Sequence, residues 1–310
     1  MAFALPMPLF RHYAMRRLVP LPLAMPQSSQ PPTPSLILPE EASSHYTIAG
    51  EIGRLAVGAG RLELVRSREI LGRLLPPPPA VVLDVGGGPG VYACWLAGLG
   101  YEVHLVDAVP LHVEQAEQAS RSQPGRPLAS ARVGDARRLE AADGSAAAVL
   151  LMGPLYHLTE RGDRLAALRE AWRALAPGGR LFATGISRFA SALDGLVHGF
   201  LDDPVFARIV ERDLTDGQHR NPTDHPLYFT TTFFHRPEEL REEIAAAGYR
   251  CDFLLAIEGP PWLLQDLDAH WNDPERRERL LGVIRRLEAE PSLLGASAHL
   301  MAVATPSPSP

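Results

Sequence analysis

A glycine-rich run at residues 81–90, VVLDVGGGPG, is the segment best suited to bind a ligand through its backbone. An apolar stretch leads directly into Gly86, Gly88 and Gly90, and glycines let a backbone turn sharply and approach a ligand that a Cβ atom would block. In parallel α/β sheets, a turn of this kind after the first strand opens the crevice that binds nucleotide-like cofactors. The run therefore predicts a cofactor site.

The spacing of these glycines and the acid before them separate two classes of cofactor. Dinucleotide-binding proteins carry G-x-G-x-x-G or alanine in the last place, whereas that place is Val91 in this chain and Gly90 falls one residue early. Asp84, two residues before the first glycine, would repel a pyrophosphate but suits a ligand that bears positive charge. An NAD-type oxidoreductase is therefore the disfavoured alternative.

Acidic residues also follow the next two predicted strands. The run YEVHLVD ends at Asp107, before Ala108, where a carboxylate can accept hydrogen bonds from both hydroxyls of a ribose. The run GDA offers Asp135, before Ala136, as an acceptor for an adenine amino group. Simple structural roles, such as helix capping for Asp107, are the alternatives.

The order of these motifs over residues 81–186 resembles one family. D-x-G-x-G-x-G, then VD, then GDA, then PGG is similar to the class I S-adenosylmethionine-dependent methyltransferases, near the ubiquinone and menaquinone biosynthesis type. The resemblance implies S-adenosylmethionine as cofactor and a seven-stranded sheet with one antiparallel strand. It also implies that the three glycines lie under the methionine part of the cofactor, with Asp107 on the ribose and Asp135 near the adenine.

Two further cofactor contacts follow from the same resemblance. Met152, at the end of the fourth strand, would lie beside the sulfonium and the amino group. Arg66 lies in residues 48–75, where the apolar spacing predicts two short helices with a break at Gly58 and Gly60. Arg66 would reach the carboxylate of the cofactor, although a solvated arginine on a helix face is an equally common arrangement.

The run GPLYHL at residues 153–158 supplies the candidates for catalysis. It follows the fourth strand and brings Tyr156 and His157 to the rim of the crevice. Where the nucleophile is a hydroxyl, a general base helps, and histidine suits neutral pH. His157 is therefore a candidate base or substrate contact, and a structural hydrogen bond to the loop is the alternative. The D/N-P-P-Y/F signature of amino-group methylation on nucleic acid bases or glutamine is absent from this position.

The elements that position these residues alternate between strand and helix patterns. Apolar strand patterns occur near 80–85, 102–106, 128–133, 146–152, 179–186, 249–257 and 296–305. Strands that alternate with helices imply crossover connections, a parallel sheet and a doubly wound, Rossmann-like α/β fold. The regular pattern lapses over 187–232, which is too long for an ordinary loop. We expect this insertion to form a helical lid over the site.

Composition bounds the remaining properties. The formal charge is -6, and the sequence contains arginine but no lysine. It also contains no run of basic residues, so we expect no nucleic acid partner. The sequence contains no run of 18 apolar residues, so it predicts no membrane-spanning helix. Residues 1–40 are rich in proline and are expected to be a disordered tail, before a methyltransferase domain over 41–310. Two cysteines without metal-ligand spacing favour a reducing compartment, so we expect a cytoplasmic location and no metal site.

These features together predict an enzyme that transfers a methyl group from S-adenosylmethionine to a small-molecule acceptor. Such transfer requires an in-line nucleophile and the exclusion of water rather than a covalent residue. Two other functions stay open at this point: a protein that binds S-adenosylmethionine and acts on a peptide or protein partner, and an NAD-type oxidoreductase. The identity of the acceptor depends on the shape of a pocket that a sequence does not reveal.

Overall fold

The computed structural model describes residues 53–123, 125–223 and 225–307. The predicted disordered tail at 1–40 lies outside these residues. Within the described ranges, none of the helices combines the length and the apolar character that crossing a bilayer requires.

The strands follow the predicted order closely. They are β1 (Val81–Val85), β2 (Glu102–Asp107), β3 (Ser130–Val133), β4 (Ala146–Leu151), β5 (Leu175–Ser187), β6 (Gln218–His219), β7 (Thr232–His235), β8 (Tyr249–Ala256) and β9 (His299–Pro306). The helices are α1 (Gly58–Leu74), α2 (Val91–Leu99), α3 (Pro110–Arg121), α4 (Pro154–His157), α5 (Arg161–Ala174), α6 (Ala190–His198), α7 (Pro204–Asp216), α8 (Pro237–Ala246), α9 (Leu267–Asn272) and α10 (Pro274–Leu287).

The strands form one twisted sheet that confirms the doubly wound α/β prediction. Strands β3, β2, β1, β4 and β5 lie side by side and parallel, and β9 then pairs antiparallel with both β5 and β8. This gives the seven expected strands with one antiparallel member. The expected count is nevertheless wrong for the whole described sheet, which has nine strands. Of the two additional strands, β6 lies within the insertion, whereas β7 begins at the last residue of the insertion, Thr232. Strand β7 pairs with β5 only at Ile186 and Ser187.

The central strands are buried on both faces, which is why they appear in the sequence as continuous apolar runs. Successive residues of a strand point to opposite faces. Leu83 and Val85 of β1 accordingly join one core cluster, whereas Val82 joins the cluster on the other face. Strand β4 divides in the same way, with Val149 on the first side and Leu150 on the second. Helices on both faces cover these two clusters.

The helical segment before β1 differs from its prediction. A 3-10 turn at Arg54–Ala56 precedes a single continuous helix, α1, so Gly58 and Gly60 stand in its first turn rather than at a break between two helices. A Cβ atom on Gly60 would collide with the carbonyl oxygen of Arg54. Glycine at this position therefore lets the turn that carries Arg54 fold closely onto α1.

A buried ion pair joins helices α5 and α8. Arg164 of α5 contacts Glu243 of α8 through two nitrogens, with Nη2 to Oε1 at 2.7 Å and Nε to Oε2 at 2.9 Å. Nε2 of His235, in β7, lies 3.3 Å from the same carboxylate. Arg164 also donates to the carbonyl oxygens of Leu158 and Thr159, in the loop after α4. This cluster therefore fixes that loop against β7 and α8.

Replacing Glu243 with glutamine should destabilise the fold, because it leaves the buried Arg164 without its counterion. The expected loss of unfolding free energy at pH 7 is about 3 kcal/mol. Burial alone would raise the pKa of Glu243, but His235 and Arg164 lower it to about 2. Its stabilisation is therefore fully present above pH 4.5 and is lost as the pH falls towards 2.

Urea unfolding of Glu243→Gln at pH 7 and pH 3 measures both effects. The variant should lose less stability than the wild type on acidification. The matched control is Glu242→Gln, because Glu242 is the exposed neighbour on the same helix. Equal stability of the two variants at pH 7 would show that the Arg164 cluster does not hold the fold.

Candidate functional site

A cavity of about 220 Å³ opens at the carboxyl ends of β1, β2 and β4. Its walls come from the turn after β1, the ends of β2 to β4, and the segment around the start of α1. The lining residues are 84–89, 91–92, 106–109, 134–137, 152–154, 156–159, Arg54, Leu55, Glu63, His112 and Asp163. Connections at this edge of a parallel sheet are the usual place for a ligand.

Most of the site residues expected from the sequence meet at this cavity. Those that line it are Asp84, Gly86, Gly88, Asp107, Ala108, Asp135, Ala136, Met152, Tyr156 and His157. They belong to motifs that follow four successive parallel strands. Because the carboxyl ends of such strands lie along one edge of the sheet, residues as far apart in the chain as Asp84 and His157 come together.

The turn after β1 leaves its backbone open to a ligand. The amide of Gly86 donates to the carbonyl oxygen of Val106 at 2.7 Å, and the amide of Gly88 donates to Oδ2 of Asp107 at 2.8 Å. Gly88 has a φ of 54°, and a Cβ atom built on it would meet no protein atom within 4 Å. Any side chain at this position would project into the cavity, so Gly88 keeps space for a ligand.

Asp84 is a buried carboxylate without a matching cation in the described structure. The residue is 1% exposed, and its Oδ2 atom makes no hydrogen bond to the described residues. Burial and the neighbouring Asp107 raise the pKa of Asp84 to about 7. A buried carboxylate with one unsatisfied oxygen at the wall of a cavity suits a ligand that carries positive charge, since the ligand would supply a partner for that oxygen.

Asp107 holds the backbone on both sides of the cavity and retains free acceptor capacity. Oδ2 accepts from the Gly88 amide, and Oδ1 accepts from the Val109 amide at 2.8 Å. Nδ1 of His112 also lies 3.2 Å from Oδ1. A carboxylate has about four lone-pair sites. Asp107 can therefore accept further hydrogen bonds from a ligand while it continues to hold the turn.

Asp135 is held by its neighbour Arg137. The guanidinium donates to both carboxylate oxygens, with Nη2 to Oδ2 at 2.6 Å, and the Arg137 amide donates to Oδ1 at 2.8 Å. Burial alone would raise the pKa of Asp135, but these bonds keep it below its usual value. Asp135 is thus an ionised acceptor with a fixed orientation.

Two residues expected at the site lie elsewhere. Arg66 does not line the cavity: its Nε donates to the carbonyl oxygen of Ile257, and its terminal nitrogens pair with Glu69 and Glu288. These partners satisfy a guanidinium that is fully buried. Gly90 also lies outside the lining. It precedes α2 with a φ of 85°, and its missing Cβ allows Ala116 to pack closely.

Tyr156 and His157 occupy different positions relative to the cavity. The hydroxyl of Tyr156 donates to the carbonyl oxygen of Met152 at 3.0 Å, and its ring packs at 4.7 Å from the ring of His157. His157 lines the first cavity, whereas Tyr156 lines both this cavity and a second one. The ring of Tyr156 therefore forms part of the wall between them.

The second cavity, of about 280 Å³, adjoins the first at Arg54 and Tyr156. Much of its wall comes from the insertion and is apolar or aromatic. Its other lining residues are Ile186, Ala190, Ser191, Asp194, Phe206, Leu227, Tyr228, Phe229, Phe234, Trp262, Ala298 and His299. The pair of adjoining cavities can hold two ligands whose reacting groups meet near Tyr156.

Four ionisable residues that sequence reasoning missed lie near the boundary between the cavities. Arg54 pairs with Glu63 at 2.6 Å, and Nδ1 of His299 lies 2.7 Å from Oε1 of Glu258. Burial raises the pKa of Glu63, but Arg54 and His299 outweigh this and lower it below its usual value. No sequence motif identifies these four residues as a group, because they lie far apart in the chain.

Comparison with known proteins finds similarity to methyltransferases. A model of a methyltransferase domain matches residues 82–179. The chain is 30% identical over 208 residues to the ubiquinone biosynthesis O-methyltransferase of Xanthomonas axonopodis pv. citri, covering 67% of this chain and 75% of that protein. It is 33% identical over 176 residues to the demethylmenaquinone methyltransferase of Deinococcus radiodurans, covering 56% and 68%.

Solved structures share the fold at low sequence identity. The PH0226 protein of Pyrococcus horikoshii superposes with a TM-score of 0.57 at 14% identity, over 85% of this chain and 99% of that one. An S-adenosylmethionine-dependent methyltransferase of Mesorhizobium loti has a TM-score of 0.52 at 16% identity, over 78% and 99%. At such identities these structures support the architecture alone.

Replacing Asp84 with asparagine should stabilise the ligand-free protein at alkaline pH. The folded pKa of about 7 lies above the ordinary value of 3.8, so the stability linked to the protonated acid is lost as the pH rises through 7. The neutral amide removes this loss. We expect a gain of roughly 1 to 4 kcal/mol at pH 8, since each pKa unit corresponds to about 1.4 kcal/mol.

Thermal unfolding of the ligand-free protein at pH 5 and pH 8 provides the measurement. The gain from Asp84→Asn should be clearly larger at pH 8. Asp268→Asn, at a carboxyl that is 67% exposed, is the control and should change little at either pH. A variant less stable than the wild type at pH 8 would mean that the Asp84 charge is compensated in the free protein.

Proposed function

Because the chain belongs to the class I S-adenosylmethionine-dependent methyltransferases, we propose that it methylates a small molecule held in the second cavity. Family membership establishes the reaction type and the cofactor. The observation that carries the proposal is the adjoining pair of cavities with Tyr156 in the shared wall. One cavity suits the methyl donor, and the other is a partly open, largely apolar space suited to an acceptor.

The first cavity has the groups that S-adenosylmethionine requires. The unpartnered Oδ2 of Asp84 suits the positive charge of the cofactor, and Gly88 leaves room beside the backbone. Asp107 has acceptor capacity for the ribose hydroxyls, and Asp135 is an ionised acceptor for the adenine amino group. Met152, at the end of β4, lines the cavity beside Gly153. When bound, the cofactor supplies an electrophilic methyl group.

The second cavity supports an acceptor with an apolar, ring-bearing body. Phe206, Phe229 and Phe234 contribute aromatic walls, together with Tyr228 and Trp262. Ring-lined pockets bind flat apolar groups by area burial and stacking. The hydroxyl of Tyr156 is held by Met152, so its ring can orient an acceptor beside the first cavity. His157, packed against that ring, would fix its position.

The segment 187–232 would act as the lid over this acceptor. Phe206 and Tyr228 line the cavity, and Phe200 and His225 pack on Tyr228 from behind, at 5.8 and 4.1 Å between ring centroids. Phe206 and Tyr228 therefore face the proposed acceptor directly, whereas Phe200 and His225 support the ring of Tyr228. A lid must open for the acceptor to enter and for the product to leave.

A transfer assay with a radioactive methyl group tests the proposal. The purified chain is incubated with methyl-labelled S-adenosylmethionine and a bacterial cell extract, which is then separated by ultrafiltration. We expect the label in the small-molecule fraction. Ala190→Phe, which fills the second cavity, should lower this labelling at least tenfold and leave cofactor affinity unchanged, because Ala190 lines only the acceptor side.

The matched control is Ala245→Phe, an alanine exposed on α8, which should retain full labelling. Label that accumulates on protein instead would favour action on a protein partner and overturn the small-molecule proposal. Full labelling by Ala190→Phe would show that the acceptor binds elsewhere.

Hydrogen exchange tests the lid. With S-adenosylhomocysteine and a methylated product of the transfer assay bound, amides of 187–232 should gain protection, because closure buries them. Amides in the interior of β9 should change little. If the insertion is already as protected as the central strands and does not respond to ligands, it is a fixed cap rather than a lid.

A further inference from the structure

His299 and Glu258 form an oriented pair at the wall of the second cavity. Oε1 of Glu258 lies 2.7 Å from Nδ1 of His299, and Oε2 accepts from the His299 amide at 2.9 Å. The hydroxyl of Ser297 also donates to Oε2 at 2.9 Å, and it accepts from the amides of Glu258 and Gly259. Glu258 is 1% exposed. Its carboxylate is thus committed to holding the histidine at the start of β9.

This hydrogen bond determines which ring nitrogen is available for chemistry. A carboxylate accepts, so Nδ1 of His299 carries the proton that it donates to Glu258. In the neutral ring, Nε2 is then the nitrogen with a lone pair. The His299 side chain is 19% exposed, and the residue lines the second cavity. The ring of Tyr156 lies 6.2 Å from the ring of His299, which brings this histidine close to the boundary with the first cavity.

The surrounding charges favour uptake of a proton by His299. The charged groups that face it are Glu258 and Glu63, with Arg54 bound to Glu63. With a neutral imidazole these groups carry one net negative charge, and with an imidazolium they carry none. Burial lowers the pKa of His299, but Glu258 and Glu63 outweigh it and raise the pKa above its ordinary value, while Arg54 acts in the opposite direction.

We infer that His299 is the general base for an acceptor hydroxyl in the second cavity, and that Glu258 is the residue that positions it. The inference rests on the proposed function and adds the class of acceptor, an alcohol or phenol on an apolar body. The oxygen–hydrogen bond of the acceptor breaks and its proton moves to Nε2. The electron pair left on oxygen forms the bond to the donated methyl carbon, and the pair of the broken carbon–sulfur bond stays on sulfur.

A hydroxyl is the acceptor that needs this arrangement. Neutral alcohols and phenols are weak nucleophiles, and a positioned base contributes about 10²- to 10⁴-fold to reactions of this kind. The base expected from sequence, His157, lines the first cavity, whereas His299 lines the second. The neutral ring takes up the proton and releases it to solvent between turnovers, so no oxidant or further reactant is required.

A divalent cation is the competing occupant of the same cluster. Glu63, Glu258 and His299 each present a donor atom within 4.8 Å of the others. However, each donor group already has a partner of opposite charge or a hydrogen bond, and Arg54 lies against Glu63. The charges are therefore balanced inside the cluster once His299 is protonated, which leaves little attraction for a cation.

The first test measures the histidine itself and needs no acceptor. The full chain is labelled with ¹⁵N-histidine, bound to S-adenosylhomocysteine, and titrated by NMR from pH 5 to 9, with His299→Gln used to assign the signal. The neutral form of His299 should carry its proton on Nδ1, and its midpoint should lie above the ordinary value of about 6.5. Glu258→Gln should lower that midpoint by at least one pH unit, because it removes the charge that stabilises the imidazolium.

His104→Gln is the matched control for this titration. His104 also has a carboxylate neighbour, Glu102 at 3.3 Å, but lies on β2 and lines neither cavity. This variant should leave the His299 titration and the transfer rate unchanged. A neutral His299 with its proton on Nε2, or no titration between pH 5 and 9, would overturn the inference.

The second test uses a small molecule that the wild type methylates in the transfer assay. His299→Gln should lower kcat about a hundredfold or more with an unchanged Kd for S-adenosylhomocysteine, which also shows that the variant is folded. The rate of the wild type should rise with pH as the imidazole loses its proton. Glu258→Gln should lower kcat about tenfold and shift this rise to lower pH.

The outcomes separate the two proposals. If the wild type labels no small molecule, the proposed function fails. The NMR titration still tests the tautomer and the titration midpoint of His299 independently. If the wild type methylates a nitrogen or carbon of the acceptor, or if His299→Gln keeps the wild-type rate, His299 is not the general base. The proposed methyl transfer to a small molecule is not affected by either result. If a chelator abolishes activity and Mg²⁺ restores it, the cluster binds a metal ion, and the assignment of His299 as the base is wrong.

Discussion

The backbone hydrogen bonds between the turn after β1 and the end of β2 are the constraint on which the site depends. Gly86 donates to Val106, and Gly88 donates to the carboxylate of Asp107. Since Asp107 faces the same cavity, the residue that would bind the ribose is also the residue that holds the turn. A shift in register between the first two strands would therefore displace the glycines and the acid together. The geometry of the proposed cofactor site therefore depends on the pairing of β1 with β2.

The two cavities differ in whether their buried carboxylates have partners. Asp84 lies in the first cavity with an unsatisfied oxygen, so a cationic ligand would relieve a cost that the free protein carries. At the boundary with the second cavity, Glu63 and Glu258 each have a partner. The first arrangement favours binding of a charged cofactor. The second leaves the imidazole of His299 as the group that responds to a proton.

The second cavity, which is the proposed acceptor site, is assembled from segments far apart in the chain. Arg54 precedes α1, and much of the apolar wall comes from the insertion 187–232. Glu258 follows β8, and His299 begins β9. The buried pair of Arg164 and Glu243 holds the loop after α4 against α8, and His235 of β7 contacts the same carboxylate. Variation in these segments can change the acceptor without altering the turn that serves the cofactor, because the two halves share few residues.

The sequence by itself determined the alternation of strands and helices, the resemblance to the family and most of the predicted site residues that line the first cavity, because motifs such as the turn at 81–90 are contiguous and follow successive parallel strands. Only the tertiary structure decided the rest. Arg66 pairs with Glu288, 222 residues away, and does not line the first cavity. His299 meets Glu258 across 41 residues through strand pairing. Local patterns encode periodicity and turns, whereas such contacts depend on how distant elements pack, and no spacing rule specifies them.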